Sequence, residues 1–153
     1  IITEFPNMKE ICLENFLNFN SLFKEIRFVE SNVNYNLFCE YNKENENRRA
    51  LSKFFVLCAN YDVIDKKDIE FIIRRLMQKI MQFIGQEGMT HQVEEITENL
   101  KIMITNFNDD FKQVYSYQSI KQSVEELAGL NAKDYLSLNN KILFNFMDIE
   151  ELM

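Results

Sequence analysis

Apolar residues recur at intervals of three and four along most of the chain, and no segment alternates apolar and polar positions as a strand would. The strongest pattern follows Asp65, where the apolar residues share one helical face: Ile69, Ile72, Ile73, Leu76, Ile80, Phe83 and Ile84. Asp65 is a suitable N-cap residue, and Gly85 is of the type that ends helices. We therefore predict an amphipathic helix from Asp65 to Ile84.

The same periodicity predicts further helices on both sides of this one. Their predicted ranges are 8–19, 21–30, 33–41, 48–61, 90–107 and 110–128, followed by a last helix that Asn131 or Ser137 opens and that runs to the end of the chain. Asp109 or Asp110 is expected to cap the helix that stops at Gly129. Range 42–47 is polar throughout, and we expect a solvated loop or a helix entry there. With 3 Gly and 1 Pro, the chain has little turn chemistry for a sheet, so the predicted class is all-α.

The last segment carries a second clear helical face. Ile142, Phe146 and Ile149 follow one another at steps of four and three, and Asn139 and Asn140 are suitable N-cap residues. We expect the three apolar side chains to be buried against the preceding helix.

The residues of this last segment also resemble the signature helix near the end of the middle domain of translation initiation factor 4 gamma. In that family the helix reads roughly Ser-Ser-Arg-Ile-Arg-Phe-Met-Leu-x-Asp-aliphatic-x-acidic-Leu-Arg. The matching residues in this chain are Lys141, Ile142, Phe144, Asp148 and Leu152. Leu143 and Met153 stand where the family has arginine, so this end lacks part of the family's basic surface.

Three upstream segments are similar to the same family, and they occur in the family's order. Residues 48–57 resemble its Arg-Arg-Ser-Leu-Gly-Asn-Ile-x-Phe-Ile helix, residues 65–84 resemble the partner helix, and residues 93–110 resemble the helix that ends in Thr-Ile-Gly-Lys-Asp. Before this part the resemblance thins to residues 35–39, which are similar to a Met-Tyr-Ala-x-Leu-Cys helix. We expect one helical domain over residues 1–153, with an N-terminal part that is shortened or divergent.

The resemblance implies a HEAT-like solenoid of stacked antiparallel helix pairs and a noncatalytic role in translation initiation. Such a middle domain is a scaffold that binds a DEAD-box RNA helicase of the initiation factor 4A type and stimulates its cycle. Related domains occur in splicing and nonsense-mediated decay proteins, so these contexts stay open. Because no exact repeat is visible, the periodicity fits a compact bundle equally well. A helical protein–protein adaptor without a helicase partner is the alternative function.

Composition narrows the range of partners and locations. With a net charge of −7, the chain repels phosphate at long range, so we expect weak or indirect RNA binding and a protein as the main partner. Cys12, Cys39 and Cys58 form no CxxC pair, and we predict reduced thiols. Range 1–5 lacks the basic start and apolar core of a signal peptide, and no apolar run is long enough to span a membrane. We therefore expect a cytoplasmic location.

The chain shows no pattern that is typical of an enzyme. His91 is its only histidine, and neither a Gly-rich phosphate loop nor an HExxH sequence is present. We therefore predict no catalysis, no cofactor, no metal site and no small-molecule substrate. The carboxylates of Glu94, Glu95, Glu125 and Glu126 are expected to be solvated on outer helix faces.

One predicted surface departs from the acidic background. On the helix over residues 65–84, the side opposite the core carries basic residues and one aromatic residue: Lys67, Phe71, Arg74, Arg75 and Lys79. Arg48 and Arg49, at the start of the preceding helix, are expected to lie at the edge of this surface. We predict that these seven residues contact an acidic partner. The alternative is that Phe71 packs against a neighbouring helix pair.

Overall fold

The computed structural model describes residues 7–153, and over this part of the chain the protein is all-α, as predicted. Its helices are α1 (Met8–Ser21), α2 (Tyr35–Asn60), α3 (Lys66–Phe83), α4 (Thr90–Asn106), α5 (Tyr117–Ala128) and α6 (Asn140–Leu152), with short 3₁₀ helices at Asp109–Gln113 and Ala132–Asp134. Within this range there is no strand. None of the described helices is both long and apolar enough to cross a membrane. Range 1–5, on which the signal-peptide prediction depends, lies outside the described residues.

Helix α4 lies at the centre of the core, because it packs against α2, α3 and α6. Its apolar side chains are fully buried: Val93, Ile96, Leu100 and Met103. Helix α5 packs against α6, and α1 packs against α2. The Phe55 ring of α2 lies between two rings of α1, with centroid distances of 5.4 Å to Phe16 and 5.0 Å to Phe19. The result is one continuous hydrophobic core that includes residues from all six helices.

The segment after α1 is irregular, so the predicted helix over residues 21–30 is wrong. We call residues 22–30 the anchored segment, because three other helices hold its backbone. The hydrogen bonds run from Arg48 Nε to the Leu22 oxygen at 3.1 Å, from Lys79 Nζ to the Phe23 oxygen at 2.7 Å and from Gln92 Nε2 to the Ile26 oxygen at 3.3 Å. Side chains from outside thus satisfy the carbonyl groups that a helix would have bonded to its own N–H groups.

Helix α2 is longer than predicted, because it includes the polar range 42–47. Asn34 begins it as an N-cap, with its side chain accepting a hydrogen bond from the Leu37 N–H at 3.0 Å. The polar range contains no Gly or Pro, and its Glu44 pairs with Arg27 of the anchored segment. Range 42–47 is therefore helical and not a loop, and the predicted segments 33–41 and 48–61 belong to one helix.

A buried polar network joins α2 to α4. Glu95 is only 3% exposed, so the prediction that this carboxylate is solvated is wrong. It accepts hydrogen bonds from Arg49 Nη2 at 2.5 Å and from Asn99 Nδ2 at 2.9 Å, and Arg48 Nη1 lies 3.7 Å away. The Ser52 hydroxyl extends the network by donating to Asn99 Oδ1 at 2.7 Å. The charges of these groups are thereby compensated inside the protein.

The C-terminal helix confirms the burial predicted from its apolar face. Ile142, Phe146 and Ile149 are all 0% exposed, and α6 packs against both α4 and α5. Asn139 caps the helix by accepting a hydrogen bond from the Ile142 N–H at 2.9 Å. The local pattern therefore placed the buried face of α6 correctly, and Asn139 is one of the N-cap residues that it offered. The prediction that Asn131 or Ser137 opens this helix is wrong, since Asn131 caps the second 3₁₀ helix.

Candidate functional site

The structure divides the seven predicted partner-binding residues into two groups. Three are exposed on α3, as predicted: Lys67, Phe71 and Arg74. The other four make contacts within the molecule: Arg48, Arg49, Arg75 and Lys79. The exposed basic surface is therefore narrower than the sequence predicts.

Arg48 and Arg49 do not form the expected edge of the basic surface. Arg48 is 3% exposed, and burial lowers the pKa of its guanidinium, an effect that the Glu95 carboxylate opposes. Arg49 is half-buried and bonded to Glu95 through two of its nitrogens. Both guanidinium groups thus belong to the network between α2 and α4. Arg48 and Arg49 therefore do not extend the exposed basic surface of α3, contrary to the prediction from the sequence.

Arg75 and Lys79 are half-buried beside the end of α1 and the anchored segment. Arg75 Nη1 lies 3.4 Å from Asn20 Oδ1, and its guanidinium carbon lies 5.9 Å from the centre of the Phe71 ring. Lys79 donates to the Phe23 carbonyl, and burial, aided by the charges of Arg75 and Lys24, lowers the pKa of Lys79. Lys79 thus binds the backbone of the anchored segment, and Arg75 supports the exposed Phe71 ring through a cation–π contact.

An open groove of about 760 Å³ lies beside Phe71. Its walls come from α3 and from the stretch between the first 3₁₀ helix and α5, and the side chains that matter here are Lys67, Phe71, Arg74, Val114 and Tyr115. The Phe71 side chain is 53% exposed and Tyr115 is fully exposed. We call this feature the Phe71–Tyr115 groove. Its two aromatic rings come from distant parts of the chain.

A buried carboxylate anchors the backbone next to Tyr115. Glu70 accepts hydrogen bonds from the Ser116 N–H at 3.2 Å and from the Ser116 hydroxyl. Four residues before Tyr115 in the chain, the Phe111 ring stacks on the Phe107 ring at a centroid distance of 4.7 Å. The backbone around Tyr115 is therefore anchored, while the tyrosine side chain itself faces solvent.

The groove carries two cations that form no ion pair within the described residues 7–153. Their neighbour Lys66 is paired, because its Nζ lies 2.7 Å from Asp62 Oδ1 and 3.8 Å from Asp110 Oδ2. Lys67 and Arg74 take part in none of the ion pairs formed within residues 7–153. Both lie exposed on α3, in a chain with a net charge of −7.

Sequence reasoning missed Glu70, Val114, Tyr115 and Ser116 as parts of this site. The only signal was that Tyr115 does not share the helical face of Tyr117, which made it an aromatic residue without a predicted place in the core. The first 3₁₀ helix also occupies the predicted start of α5, which begins only at Tyr117. Asn108, rather than Asp109 or Asp110, accepts the hydrogen bond that caps this 3₁₀ helix. This break is what turns Tyr115 outward.

The groove offers aromatic and charged side chains for contact with a partner. It presents two aromatic rings, the cations Lys66, Lys67 and Arg74, and the exposed carboxylates of Asp65 and Asp110. In the described part of the chain no cluster of three His, Cys, Asp or Glu side chains is placed to hold a metal ion. His91 lies elsewhere and stacks on Phe28 at a centroid distance of 3.4 Å. No family model, curated protein or solved structure compared with the chain matches it. The resemblance to the initiation factor 4 gamma middle domain stays a prediction.

Proposed function

We propose that this chain is a noncatalytic helical scaffold in translation initiation that binds and stimulates a DEAD-box RNA helicase of the initiation factor 4A type. The observation that carries the proposal is the exposed Phe71 ring on α3, with Lys67 and Arg74 on either side of it along the helix. An aromatic anchor flanked by cations suits an acidic protein surface. The identity of the helicase comes from the sequence resemblance. We also propose that the protein is cytoplasmic.

The scaffold would act by preferring one arrangement of its partner. If it binds the near-closed helicase more tightly than the open form, it shifts the population of the helicase without chemistry of its own. Such a role needs a surface that keeps its shape. Phe71 and Arg74 meet this need because they lie on α3, whose opposite face is buried in the core.

We also propose that the helices form a HEAT-like solenoid. Helix α4 contacts both α2 and α6, so alternate helices are neighbours, as they are where helix pairs stack in a row. Sequential packing of α3 on α4 and of α5 on α6 supports the same arrangement. A compact bundle remains the alternative architecture, and neither choice changes the placement of the groove.

The direct test is titration calorimetry of the folded chain with the helicase at low and at physiological salt. Lys67→Glu combined with Arg74→Glu should weaken binding, most strongly at low salt, because exposed charges are screened over roughly 8–10 Å at physiological ionic strength. The matched control is Lys43→Glu with Lys53→Glu, which reverses two exposed charges on α2. Arg75 is left intact because it contacts Asn20 and Phe71.

The outcomes separate the candidate functions. Wild-type binding together with faster helicase ATP hydrolysis supports the scaffold, provided that the groove variant loses both and the control variant keeps both. Equal losses in the two double variants would show that only the overall charge matters. Failure of the wild-type chain to bind the helicase would leave the adaptor alternative, and a splicing-type or decay-type helicase used in parallel would test the other contexts.

A further inference from the structure

Building on the proposed scaffold function, on which this step rests, we infer that the Phe71–Tyr115 groove binds a short, extended, acidic segment of a partner protein. The segment would insert an apolar side chain between Phe71 and Tyr115 and place carboxylates on Lys67 and Arg74. This assigns a peptide site to the groove and names the chemistry of its occupant.

In the apolar half of the site, the Phe71 ring is supported on one side and the backbone next to Tyr115 is anchored. Phe71 lies under the Arg75 guanidinium, which also contacts Asn20, so its ring is supported from one side. Tyr115 is fully exposed, although its backbone is tied to α3 through the buried contact between Ser116 and Glu70. Rigid aromatic side chains lose little conformational freedom on binding, which is why such residues are common anchors.

The size of the groove favours a segment over a folded surface. Its volume of about 760 Å³ falls within the range of roughly 300–1,000 Å³ that is typical of pockets for small ligands. A flat interface between folded proteins instead buries about 800 Å² on each partner. A concave site of this size suits a few consecutive side chains of a linear peptide.

The spacing of the cations sets the pattern of the occupant. Lys67 and Arg74 are seven residues apart on α3, with Phe71 between them, so they lie about 10.5 Å apart along the helix axis. An extended chain in the polyproline II conformation has three residues per turn and advances about 3.1 Å per residue, so carboxylates three positions apart lie on one edge of it, about 9.3 Å apart. The expected occupant is therefore acidic, apolar, apolar and acidic in order.

The carboxylates at the rim of the groove are already bound within the protein. Asp65 accepts the capping hydrogen bond from the Lys67 N–H at 2.9 Å, and Asp110 lies 3.8 Å from Lys66 Nζ. Glu70 is buried and bonded to Ser116. Lys67 and Arg74 are the cations of the groove that form no ion pair within residues 7–153, so they are the groups expected to bind carboxylates. The overall charge of −7 disfavours a polyphosphate.

The test is fluorescence anisotropy with the labelled peptide Gly-Ser-Asp-Leu-Leu-Glu-Ser-Gly. Tyr115→Ala and the double variant Lys67→Glu with Arg74→Glu should each weaken binding by at least about tenfold. Tyr61→Ala removes an exposed tyrosine that directly follows α2 and should leave binding unchanged. Circular dichroism establishes that each variant is folded, as expected for exposed positions.

Two control probes decide the chemistry. A peptide with both leucines replaced by serine and one with both acids replaced by lysine should each lose binding. A labelled uridine octamer tests the nucleic-acid alternative. If the octamer bound as tightly as the acidic peptide and competed with it, the peptide assignment would be overturned.

The groove and the helicase proposal fail in different ways. If the acidic peptide binds the wild-type chain and the helicase does not, the groove assignment stands and the helicase proposal is wrong. If the helicase binds wild type and Tyr115→Ala equally while the peptide does not bind, the groove assignment is wrong and the scaffold proposal stands. If neither the acidic peptide nor the helicase binds the wild-type chain, both the groove assignment and the helicase proposal are wrong.

Discussion

The Glu70 carboxylate on α3 accepts two hydrogen bonds from Ser116, one from its N–H at 3.2 Å and one from its hydroxyl. Both residues are buried, at 7% and 6% exposed. This pair fastens the chain ahead of α5 to α3 and so sets one wall of the Phe71–Tyr115 groove. It also means that a charged group in the core depends on one serine for two of its contacts.

Ser116→Ala should destabilise the protein by about 1–3 kcal/mol, because the buried carboxylate loses a donor that water cannot easily replace. Urea unfolding measures the change. The control is Ser119→Ala on the exposed side of α5, which should stay within about 0.5 kcal/mol of wild type. Equal stabilities of the two variants would show that the contact with Glu70 contributes little.

Lys79 and Lys67 lie on the same helix but should respond differently to truncation. Lys79→Ala removes the hydrogen bond to the Phe23 carbonyl and should cost about 1–3 kcal/mol. Lys67→Ala removes an exposed side chain and should cost less than about 0.5 kcal/mol. Thermal unfolding, with hydrogen exchange of the anchored segment, distinguishes an internal tie from a surface charge.

Removing Glu95 should be among the more damaging changes to a charged residue. Glu95→Ala leaves the Arg48 guanidinium buried without its nearby carboxylate, and the expected loss is about 3–5 kcal/mol. Glu125→Ala, at an exposed glutamate on α5, provides the control and should be nearly neutral. A small loss at Glu95 in denaturant titrations would mean that water reaches the network.

Two phenylalanines on α6 test the buried face of that helix. Phe146→Ala should cost roughly 3–5 kcal/mol, because the ring is 0% exposed and its loss leaves a cavity. Phe144→Ala changes a ring that is mostly in solvent and should leave the unfolding midpoint almost unchanged. A midpoint that does not respond to Phe146→Ala would contradict the central place of α6 in the core.

The Cys58 thiol should react slowly with alkylating reagents. Burial, together with the neighbouring Cys12, raises its pKa to about 11, so the reactive thiolate is scarce at neutral pH. Iodoacetamide labelling followed by mass spectrometry should show slow modification of Cys58 in the native protein and fast modification in urea. Fast native labelling at pH 8 would show that the site opens readily.

The same thiol gives a pH dependence of defined sign. Native Cys58 keeps its proton up to a pKa of about 11, whereas the unfolded chain loses it near the ordinary value of 9.0. The unfolded state therefore binds fewer protons between these values, and stability should fall as the pH rises through this window. In Cys58→Ala this part of the decline should be absent from urea unfolding curves measured across the range.

The local features of the chain were readable from its sequence. The period of the apolar residues predicted α3 and α6, and the side chains of Asp65 and Asn139 marked where they begin. Such signals depend on residues within one or two turns of one another, which is why they survive without knowledge of the fold. The same reasoning placed Phe71 on an exposed, basic side of α3.

Tertiary packing decided the rest, because it joins groups that lie far apart in the chain. The anchored segment is irregular since Lys79 and other distant side chains bind its carbonyl groups, and Arg48 and Glu95 are buried because α2 packs on α4. Tyr115 lines the same groove as Phe71 because Ser116, the next residue, is hydrogen-bonded to Glu70. A helical period records which face of a segment is apolar, but it carries no information about which distant segment will cover that face or compensate its charges.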